Sequence, residues 1–594
     1  MTELKSREEM NPRFCWDYSD LFINDDAFET SLTELENDFA LLSKLKGTLG
    51  ESAASLLKAL NKVFETGEKL ERVYAYAMLK KSSDGGNSKF QEMESRSISA
   101  YVKYQTAVAF LEPEILAIDA ERLESFMQSE GLKPYAFFVE NILREKEHTL
   151  DEKGEEMLAL LGDAAQAPSN AFDMLADVDF VYPLIKDENG KNVRLTNGNF
   201  GVFRESKLRR VRKAAFEAYL GQYKKFINTV TELYGGSVKL DNYFATVRSY
   251  PSARAAALFG GNVPETVYDS LIDAVHSKLP AMKRYLKLRK KVLGLRNLDL
   301  FDLYVPMVEN VRIEMPYEKA KLLVKEALKP LGERYGELLD TAYSHNWIDV
   351  YENKGKRSGA FSLGVYGVHP YVMLNYTDTL DDAFTLAHEL GHAMHSYFSD
   401  EAQDYINHDY RIMVAEVAST VNEVLLTLHL LKKEKDSKRK ALITNHFLDS
   451  FRTTLFRQTL FAEFERESHR MNAEGTPLTA ESLCSLYKGL LETYYEGAKV
   501  GEVMQYEWAY IPHFYRAFYV YQYATGFASA VAIAKRILET GDASGYLKFL
   551  TLGGSDHPLE ELKVAGVDLS KPATVESALE LFEETVSELE KLLK

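Results

Sequence analysis

This sequence has very little cysteine, fewer basic than acidic residues and no long apolar run. Its 594 residues include only two cysteines, Cys15 and Cys484, so we expect neither a disulfide framework nor a cysteine metal site. Lys and Arg number 71 against 89 Asp and Glu, and the net charge of -18 argues against a nucleic-acid partner. We find no stretch approaching the ~18 consecutive apolar residues of a membrane span, so no membrane partner is expected.

The beginning of the chain also lacks a secretory pattern. Charged residues such as Lys5, Arg7 and Asp17 interrupt it, and no continuous apolar segment follows a basic start. Together with the scarcity of cysteine, this pattern predicts a cytoplasmic protein. The length and the apolar content of 46% predict more than one hydrophobic core and hence at least two domains.

Helical periodicity fills most of the chain. Amphipathic spacing predicts helices at Ser52 to Thr66 and at Gln91 to Leu111, among others. From Val178 to Leu195 the character changes to two apolar segments around an Asn-Gly pair, which predicts a β-hairpin. We place a boundary there, between an N-terminal helical domain at 1–195 and a second domain at 196–594. The expected fold class is mainly α.

The segment with the clearest chemistry is His388-Glu389-Leu390-Gly391-His392. On a helix, residues four apart lie on the same face, so both imidazoles can reach one ion while Glu389 serves as a base. Asp378 to Asp382 provides an N-cap with acidic residues in the first turn, and the surrounding residues are mostly apolar. The segment therefore predicts a metal site on a buried helix; a pair of hydrogen-bonded core histidines is the alternative.

A catalytic zinc usually takes three protein ligands and leaves one position for water. Glu416 is the predicted third ligand, because it lies among small and apolar residues where an unpaired carboxylate would be costly. Glu423, two turns further along, is predicted to hold the second nitrogen of a ligand histidine. A surface carboxylate is the alternative for Glu423. The ligand types favour one zinc ion per chain.

Two short segments before the motif helix have the composition of strands. They run from Ser358 to Ser362 and from Tyr371 to Tyr376. A strand edge beside a metal is where an extended peptide can be held by main-chain hydrogen bonds. A purely structural hairpin is the alternative interpretation.

An aromatic segment from His513 to Tyr523 offers a histidine and several phenols as hydrogen-bond donors to an oxyanion. Core packing is the more common reason for such a segment. With a metal-activated water and Glu389 as the base that carries its proton to a leaving nitrogen, the predicted reaction is amide hydrolysis.

Taken together, these segments resemble the oligoendopeptidase F family, within the thimet-oligopeptidase-like zinc metallopeptidases. The resemblance rests on Thr385 to His395, Glu416 to Ser419, Pro512 to Arg516 with Tyr521 to Gly526, and Gly553-Gly554-Ser555. It extends across most of the chain. It implies a mainly helical, two-lobed metallopeptidase fold with a deep substrate channel and a small β element beside the zinc helix.

The resemblance also implies residue roles. Zinc would be bound by His388, His392 and Glu416, with Glu389 as the general base. A substrate strand would lie near Gly359, Ala360 and Phe361. For the oxyanion, the resemblance favours His513 and Tyr521, while Tyr519 and Tyr523 stay open as the true match or as substrate contacts.

The expected activity is a zinc-dependent endopeptidase that hydrolyses internal bonds of short unfolded peptides. An exopeptidase or peptidyl-dipeptidase acting on short peptides is one alternative. A zinc-stabilised peptide-binding protein without turnover is the other, although a structural site needs a fourth protein ligand rather than a base beside an open position. The sequence leaves the oligomeric state undetermined.

Overall fold

The structure of this chain, a computed structural model, describes residues 4–308 and 311–594, with the side chain of Glu152 excepted. The first three residues of the predicted 1–195 domain lie outside it. The helices are α1 Asp25–Leu42, α2 Ala53–Ser83, α3 Ser88–Val108, α4 Leu111–Ala117, α5 Ala120–Met127, α6 Ala136–Arg144, α7 Glu152–Ala165, α8 Ala167–Asp173, α9 Asn197–Arg204, α10 Arg209–Lys225, α11 Ile227–Val247, α12 Ala253–Phe259, α13 Glu265–Ser277, α14 Leu279–Val292, α15 Tyr317–Ala327, α16 Glu333–Ser344, α17 Leu380–Ala402, α18 Ile412–Lys433, α19 Ser437–Ser450, α20 Arg457–Ala473, α21 Ala480–Tyr494, α22 Tyr521–Thr540, α23 Ser544–Leu550, α24 Pro558–Val564 and α25 Ala573–Leu592. The strands are β1 Leu184–Lys186, β2 Asn192–Arg194, β3 Ile348–Asp349, β4 Phe361–Leu363 and β5 Tyr371–Met373. The prediction of a mainly α fold with a small β element is confirmed.

The chain folds into two compact units, each assembled from three segments. The first unit comprises Met1–Lys146, Ile313–His429 and Ile533–Val567, and the second comprises Glu147–Arg312, Leu430–Ala532 and Asp568–Lys594. The predicted division at residues 195 and 196 marks a change of sequence character and stays a prediction.

The first unit contains the small sheet that borders the motif helix. Its strand order is β3-β5-β4, with β3 parallel and β4 antiparallel to β5. Tyr371 and Met373 of β5 belong to the same buried apolar cluster as residues of α1 to α6 such as Phe28, Leu56 and Ile115. The core therefore fixes β5, and β4 is left as an edge strand.

Helix α17 begins as its sequence predicts. The Thr379 hydroxyl accepts a hydrogen bond from the Asp382 N–H at 3.2 Å, and the Asp382 carboxylate accepts one from the Thr379 N–H at 2.9 Å. This reciprocal capping satisfies two backbone donors that the first turn would leave unpaired. Apolar residues then bury most of the helix, including Leu386, Leu390 and Met394.

In the second unit, β1 and β2 form the predicted hairpin, with Ile185 opposite Val193 and Gly190 at φ +81° in the turn. The first strand begins later than the prediction from Val178, because Met174–Asp179 forms a π-helical turn. Val178, the first residue of the predicted strand, therefore belongs to this helical turn.

Among the described residues, α18 is the one helix that is long and apolar enough, by length and composition, to cross a membrane. Glu416 and Glu423 interrupt it, so it contains no run of ~18 consecutive apolar residues. Of that apolar window, 67% is buried inside the protein. Its hydrophobicity is therefore that of a core helix, which passes the same test of length and composition.

Glu561, in the first turns of α24, is a buried acid of the first unit. Glu561 is only 1% exposed. Burial raises the pKa of Glu561 to about 8, against the opposing influence of the Asp556 backbone and of the charge of Arg411. A buried carboxyl group is disfavoured in its charged form, so the folded protein holds this proton up to near-neutral pH.

This proton makes the stability of the first unit depend on pH. Above the ordinary pKa of 4.5, the unfolded chain loses the proton that the folded protein keeps, so stability falls as the pH rises from 4.5 toward 8. Glu561→Gln cannot ionise, and we expect it to gain up to a few kcal/mol relative to the wild type at pH 8 but little at pH 4.5. Calorimetric melting at several pH values measures this difference. Glu560→Gln, at the exposed neighbouring position, is the control, and parallel pH curves for wild type and Glu561→Gln would contradict the account.

Candidate active site

Helices α17 and α18 bring three ligand atoms together in the first unit. The Nε2 atoms of His388 and His392 lie 3.2 Å apart, and Oε2 of Glu416 lies 3.5 Å from the first and 3.6 Å from the second. Bonds of about 2.0–2.1 Å to a tetrahedral zinc place its ligand atoms about 3.3 Å apart. The three atoms therefore fit a cation of this size.

The chemistry of the donors agrees with their spacing. Two imidazole nitrogens and one carboxylate oxygen suit zinc and neighbouring transition metals, whereas calcium and magnesium prefer oxygen ligands alone. These three residues form the one group of metal-ligand type found among the described residues. Three protein ligands leave a tetrahedral ion with one open position.

His388 is also held at its second ring nitrogen. Its Nδ1–H donates a hydrogen bond to Oε1 of Glu423. A carboxylate that accepts from Nδ1 leaves the Nε2 lone pair directed at the cluster. Glu423 thus has the geometry that a partner of a ligand histidine requires, and its role stays a prediction.

The carboxylates beside the cluster and the two histidines change one another's pKa values. Burial tends to lower the pKa of His388, but the hydrogen bond and charge of Glu423, with Glu416, raise it to about 9. Burial and the charge of His388 lower the pKa of His392. The site therefore stabilises one positive charge among its carboxylates, and a bound cation would supply that charge in place of the His388 proton.

Glu389 lies next to this cluster and is 7% exposed. Burial raises its pKa to about 7, an effect that the charge of His388 opposes and that Glu416 and Glu423 reinforce. A carboxyl group with a pKa near neutrality can both accept and return a proton at physiological pH. This pKa suits a general acid–base, and the role of Glu389 stays a prediction.

Glu416 differs from its expectation in one respect. The sequence analysis argued from burial among apolar neighbours, but the Glu416 side chain is 38% exposed. The reason is that it borders a cavity of about 1100 Å³, together with His388, Glu389 and His392. The carboxylate therefore lies at the wall of an open cavity and not inside packed core.

Strand β4 forms another part of the cavity wall. Ala360 and Phe361 line it, and Gly359, at φ +84°, precedes them with its carbonyl accepting a hydrogen bond from the Asn375 amide at 2.8 Å. Because β4 is an edge strand, one side of its backbone is not paired within the sheet. Aromatic residues of α2 and α3 also line the cavity, including Tyr74 and Tyr101.

Two family models match this chain. The model described as Peptidase family M3 matches residues 202–581, and the model described as Oligopeptidase F matches residues 114–182. The Oligopeptidase PepF of Bacillus subtilis (strain 168) is 42% identical over 100% of this chain and 89% of its own length. An Oligoendopeptidase F homolog of Lactococcus lactis subsp. lactis (strain IL1403) is 42% identical over 99% of both chains. The chain belongs to peptidase family M3, in its oligoendopeptidase F group.

Solved structures agree with this membership. A crystal structure of oligoendopeptidase-F from Enterococcus faecium is 37% identical, with a TM-score of 0.74, and covers 96% of this chain and 99% of its own. A crystal structure described as that of a peptidase from Chlamydophila abortus is 34% identical, with a TM-score of 0.94, over 99% of this chain and 100% of its own. The resemblance stated from the motifs is confirmed, and the chain is a metallopeptidase that hydrolyses peptide bonds.

The remaining predicted residues of this M3 peptidase lie in the second unit. His513 is exposed in a 3-10 helix, Pro512–Tyr515, and its ring is parallel to that of Tyr519 at 6.3 Å between centroids. Tyr523 meets both rings edge-on, at 6.0 Å from His513 and 5.4 Å from Tyr519. Within the second unit, these three side chains form one cluster.

Tyr521 lies apart from that cluster. It is 3% exposed and packs against Tyr268 with ring centroids 5.2 Å apart. Tyr521 is the first residue of α22, whereas Tyr519 precedes the helix. The catalytic role of Tyr521 stays a prediction, and its burial favours the open alternatives, Tyr519 and Tyr523.

The sequence analysis missed the residue that sets the distance between the two ligand helices. A Cβ atom built on Gly391 of α17 would lie 2.5 Å from Cα of Ser419, 2.7 Å from O of Ala418 and 2.8 Å from N of Ser419. All three atoms belong to the backbone of α18. Glycine in a helix interior is destabilising, so its presence between two ligand histidines signals a close approach of another backbone.

Asn422 was missed as well. Its side-chain amide donates to the Ala387 carbonyl of α17 at 3.0 Å, and its side-chain oxygen accepts from the Tyr335 hydroxyl at 3.0 Å. Asn422 is fully buried, so both bonds count toward keeping α18 in register with α17. A lone amide within an apolar helix is the signal that identifies such a residue.

Gly391→Ala tests whether this close approach builds the metal site. The backbone of α18 cannot yield as a flexible side chain would, so we expect the helices to separate, with a stability loss of about 1–3 kcal/mol. Metal affinity should fall at least about tenfold because the ligand geometry is disturbed. Thermal melting and titration with a metal-binding competitor measure the two effects.

The control is Gly221→Ala in α10, where an added Cβ meets no atom within 4 Å. Removing a helical glycine without a clash should be neutral or stabilising by up to about 1 kcal/mol, with metal affinity unchanged. A Gly391→Ala protein that binds metal like the wild type would show that the helix contact does not set the ligand positions.

Proposed function

We propose that this chain is a zinc-dependent oligoendopeptidase that cleaves internal bonds of short unfolded peptides. The observation that carries the proposal is the convergence of three ligand atoms beside Glu389, in a cavity bordered by the edge strand β4. Membership of family M3 supports the same reaction class.

His388, His392 and Glu416 would hold one zinc ion. When bound, the ion supplies Lewis-acid activation of a water molecule and polarisation of the substrate carbonyl. Glu423 keeps the His388 ring in the tautomer that presents Nε2. The contact at Gly391 keeps Glu416 within reach of both rings.

Glu389 moves the proton. Its buried carboxylate takes a proton from the attacking water and delivers it to the nitrogen of the bond that breaks. Its raised pKa serves both halves of this exchange, since a strongly acidic carboxyl would accept a proton poorly and a basic one would not return it. The bond that forms joins the water oxygen to the peptide carbonyl carbon, and the C–N bond breaks.

The edge of β4 would hold the peptide in extended form. Main-chain hydrogen bonds to Ala360 and Phe361 recognise the backbone of a peptide and not its side chains, which suits an enzyme for varied short peptides. A folded protein cannot offer a free extended strand without unfolding. The printed names of the relatives, oligopeptidase and oligoendopeptidase, support short peptides as substrates.

For the oxyanion, we propose His513 together with Tyr519 or Tyr523 as hydrogen-bond donors. This assignment rests on the family resemblance of Pro512 to Arg516 and on the cluster that these three rings form within the second unit. Partial desolvation of the ring and the charge of Arg516 lower the pKa of His513, which favours the neutral ring with one N–H to donate. We also propose a cytoplasmic location, which the scarcity of cysteine supports.

Mass spectrometry of the products from a peptide of about ten residues with both termini blocked tests this function. We expect internal cleavage that a chelator stops and added zinc restores, because blocked ends exclude enzymes that need a free terminus. Glu389→Gln should lose at least about 100-fold in kcat while it still binds one zinc, since it keeps the shape but not the base.

Two results would contradict the proposal. Cleavage only of peptides with a free end would make the enzyme an exopeptidase. Full activity of Glu389→Gln would remove Glu389 from the mechanism even if the metal requirement held.

A further inference from the structure

Glu465 of α20 is an acid that the reaction described above does not use. Its side chain is completely buried in the second unit. Oε1 accepts a hydrogen bond from the backbone N–H of Phe518 at 2.9 Å, and Oε2 has no hydrogen-bond partner in the described part of the chain. Burying a carboxyl group that makes a single hydrogen bond costs free energy of folding. The presence of Glu465 here therefore points to a function for its bond to Phe518.

The residue it holds has an unusual backbone. Phe518 has φ +56°, in the left-handed region, which a bulky residue without a glycine's freedom rarely adopts. Its ring is fixed on two sides, by His469 at 4.5 Å and Tyr268 at 5.8 Å between centroids. Contacts of the ring and of the backbone N–H therefore stabilise a φ angle that Phe518 would otherwise rarely adopt.

The backbone conformation of Phe518 sets the direction in which the chain continues into Tyr519. Tyr519 follows it directly, and Tyr519 is the ring that lies parallel to His513 and edge-on to Tyr523. A return of Phe518 to negative φ would redirect the chain at this point and separate Tyr519 from that cluster. A turn at this position has no glycine or asparagine to favour it, so the holding contact must come from elsewhere in the fold.

We propose that Glu465 is a positioning residue of this peptidase, which locks the Phe518 backbone through its N–H and thereby keeps the Tyr519 ring parallel to that of His513. The inference rests on the proposed role of Tyr519 or Tyr523 as oxyanion donors and narrows it to Tyr519. Glu465 itself touches no reacting atom.

Glu465 uses one oxygen as the acceptor in this contact. Burial raises the pKa of Glu465 well above its ordinary value, and the charge of Asp241 adds to this effect, while the hydrogen bond from the Phe518 backbone opposes it. A glutamine has the same shape, carries no charge and offers the same acceptor oxygen. Glu465→Gln should therefore preserve the contact, whereas Glu465→Ala removes it.

The test is a double-mutant cycle between Glu465→Ala and Tyr519→Phe, followed by cleavage of the blocked peptide. We expect Glu465→Ala to lose about tenfold to 100-fold in kcat, the range that small misplacements of a catalytic group produce, with KM little changed. Glu465→Gln should restore most of the rate. In the Tyr519→Phe background, Glu465→Ala should cost almost nothing more, because the hydroxyl of the ring it positions is already absent.

Thr459→Ala is the control for disturbance of α20, since the buried Thr459 hydroxyl bonds only the Leu455 carbonyl of the chain segment just before it. Its kcat should match that of the wild type. Zinc content and melting temperature are measured for every variant, so that a loss of fold is separated from a loss of rate.

Additive effects of Glu465→Ala and Tyr519→Phe would overturn the inference, as would a Glu465→Gln variant as slow as Glu465→Ala. No effect of Tyr519→Phe alone would overturn it too, while leaving the zinc endopeptidase intact. Failure of the proposed function itself is recognised separately, as wild-type cleavage that a chelator does not stop.

Discussion

The catalytic arrangement of this protein depends on how closely two helix backbones approach each other. At Gly391 there is no room for a methyl group between α17 and the Ala418–Ser419 backbone of α18. That spacing places the carboxylate of Glu416 within 3.6 Å of the His392 ring nitrogen. Two histidines four residues apart on one helix do not fix the position of an ion. The third ligand, Glu416 from α18, fixes it.

Other contacts of the first unit hold the same helix. The capping box at Thr379 fixes where α17 begins, and Asn422 ties its Ala387 carbonyl to α18. Gly364, just after β4, passes so close to α17 that an added Cβ would lie 2.7 Å from the Ser396 side chain. A short sequence motif thus functions because its helix is held on several sides, by backbone contacts that tolerate little change in side-chain volume.

The sequence predicted those parts of the fold that depend on local patterns. The motif helix, its N-cap, the Asn-Gly hairpin and the strands at Phe361 and Tyr371 are encoded by periodicity, capping residues and turn residues. The part of the site that needs tertiary structure was predicted less well. The exposure of Glu416 depends on a cavity, the role of Gly391 on a neighbouring backbone, and the burial of Tyr521 on α13. None of these tertiary contacts produces a periodic pattern in a single sequence. Motif resemblance supplied the family, which the relatives confirm, whereas the roles of individual tyrosines remain predictions.

X-ray absorption spectroscopy at the zinc edge, on purified protein that carries one zinc per chain, tests the central claim most directly. The account predicts two imidazole nitrogens and one carboxylate oxygen at about 2.0–2.1 Å, with one further light atom from solvent. Loss of one oxygen ligand in Glu416→Ala would match the same assignment. A sulfur ligand at about 2.3 Å, or a fourth protein ligand in place of solvent, would contradict it.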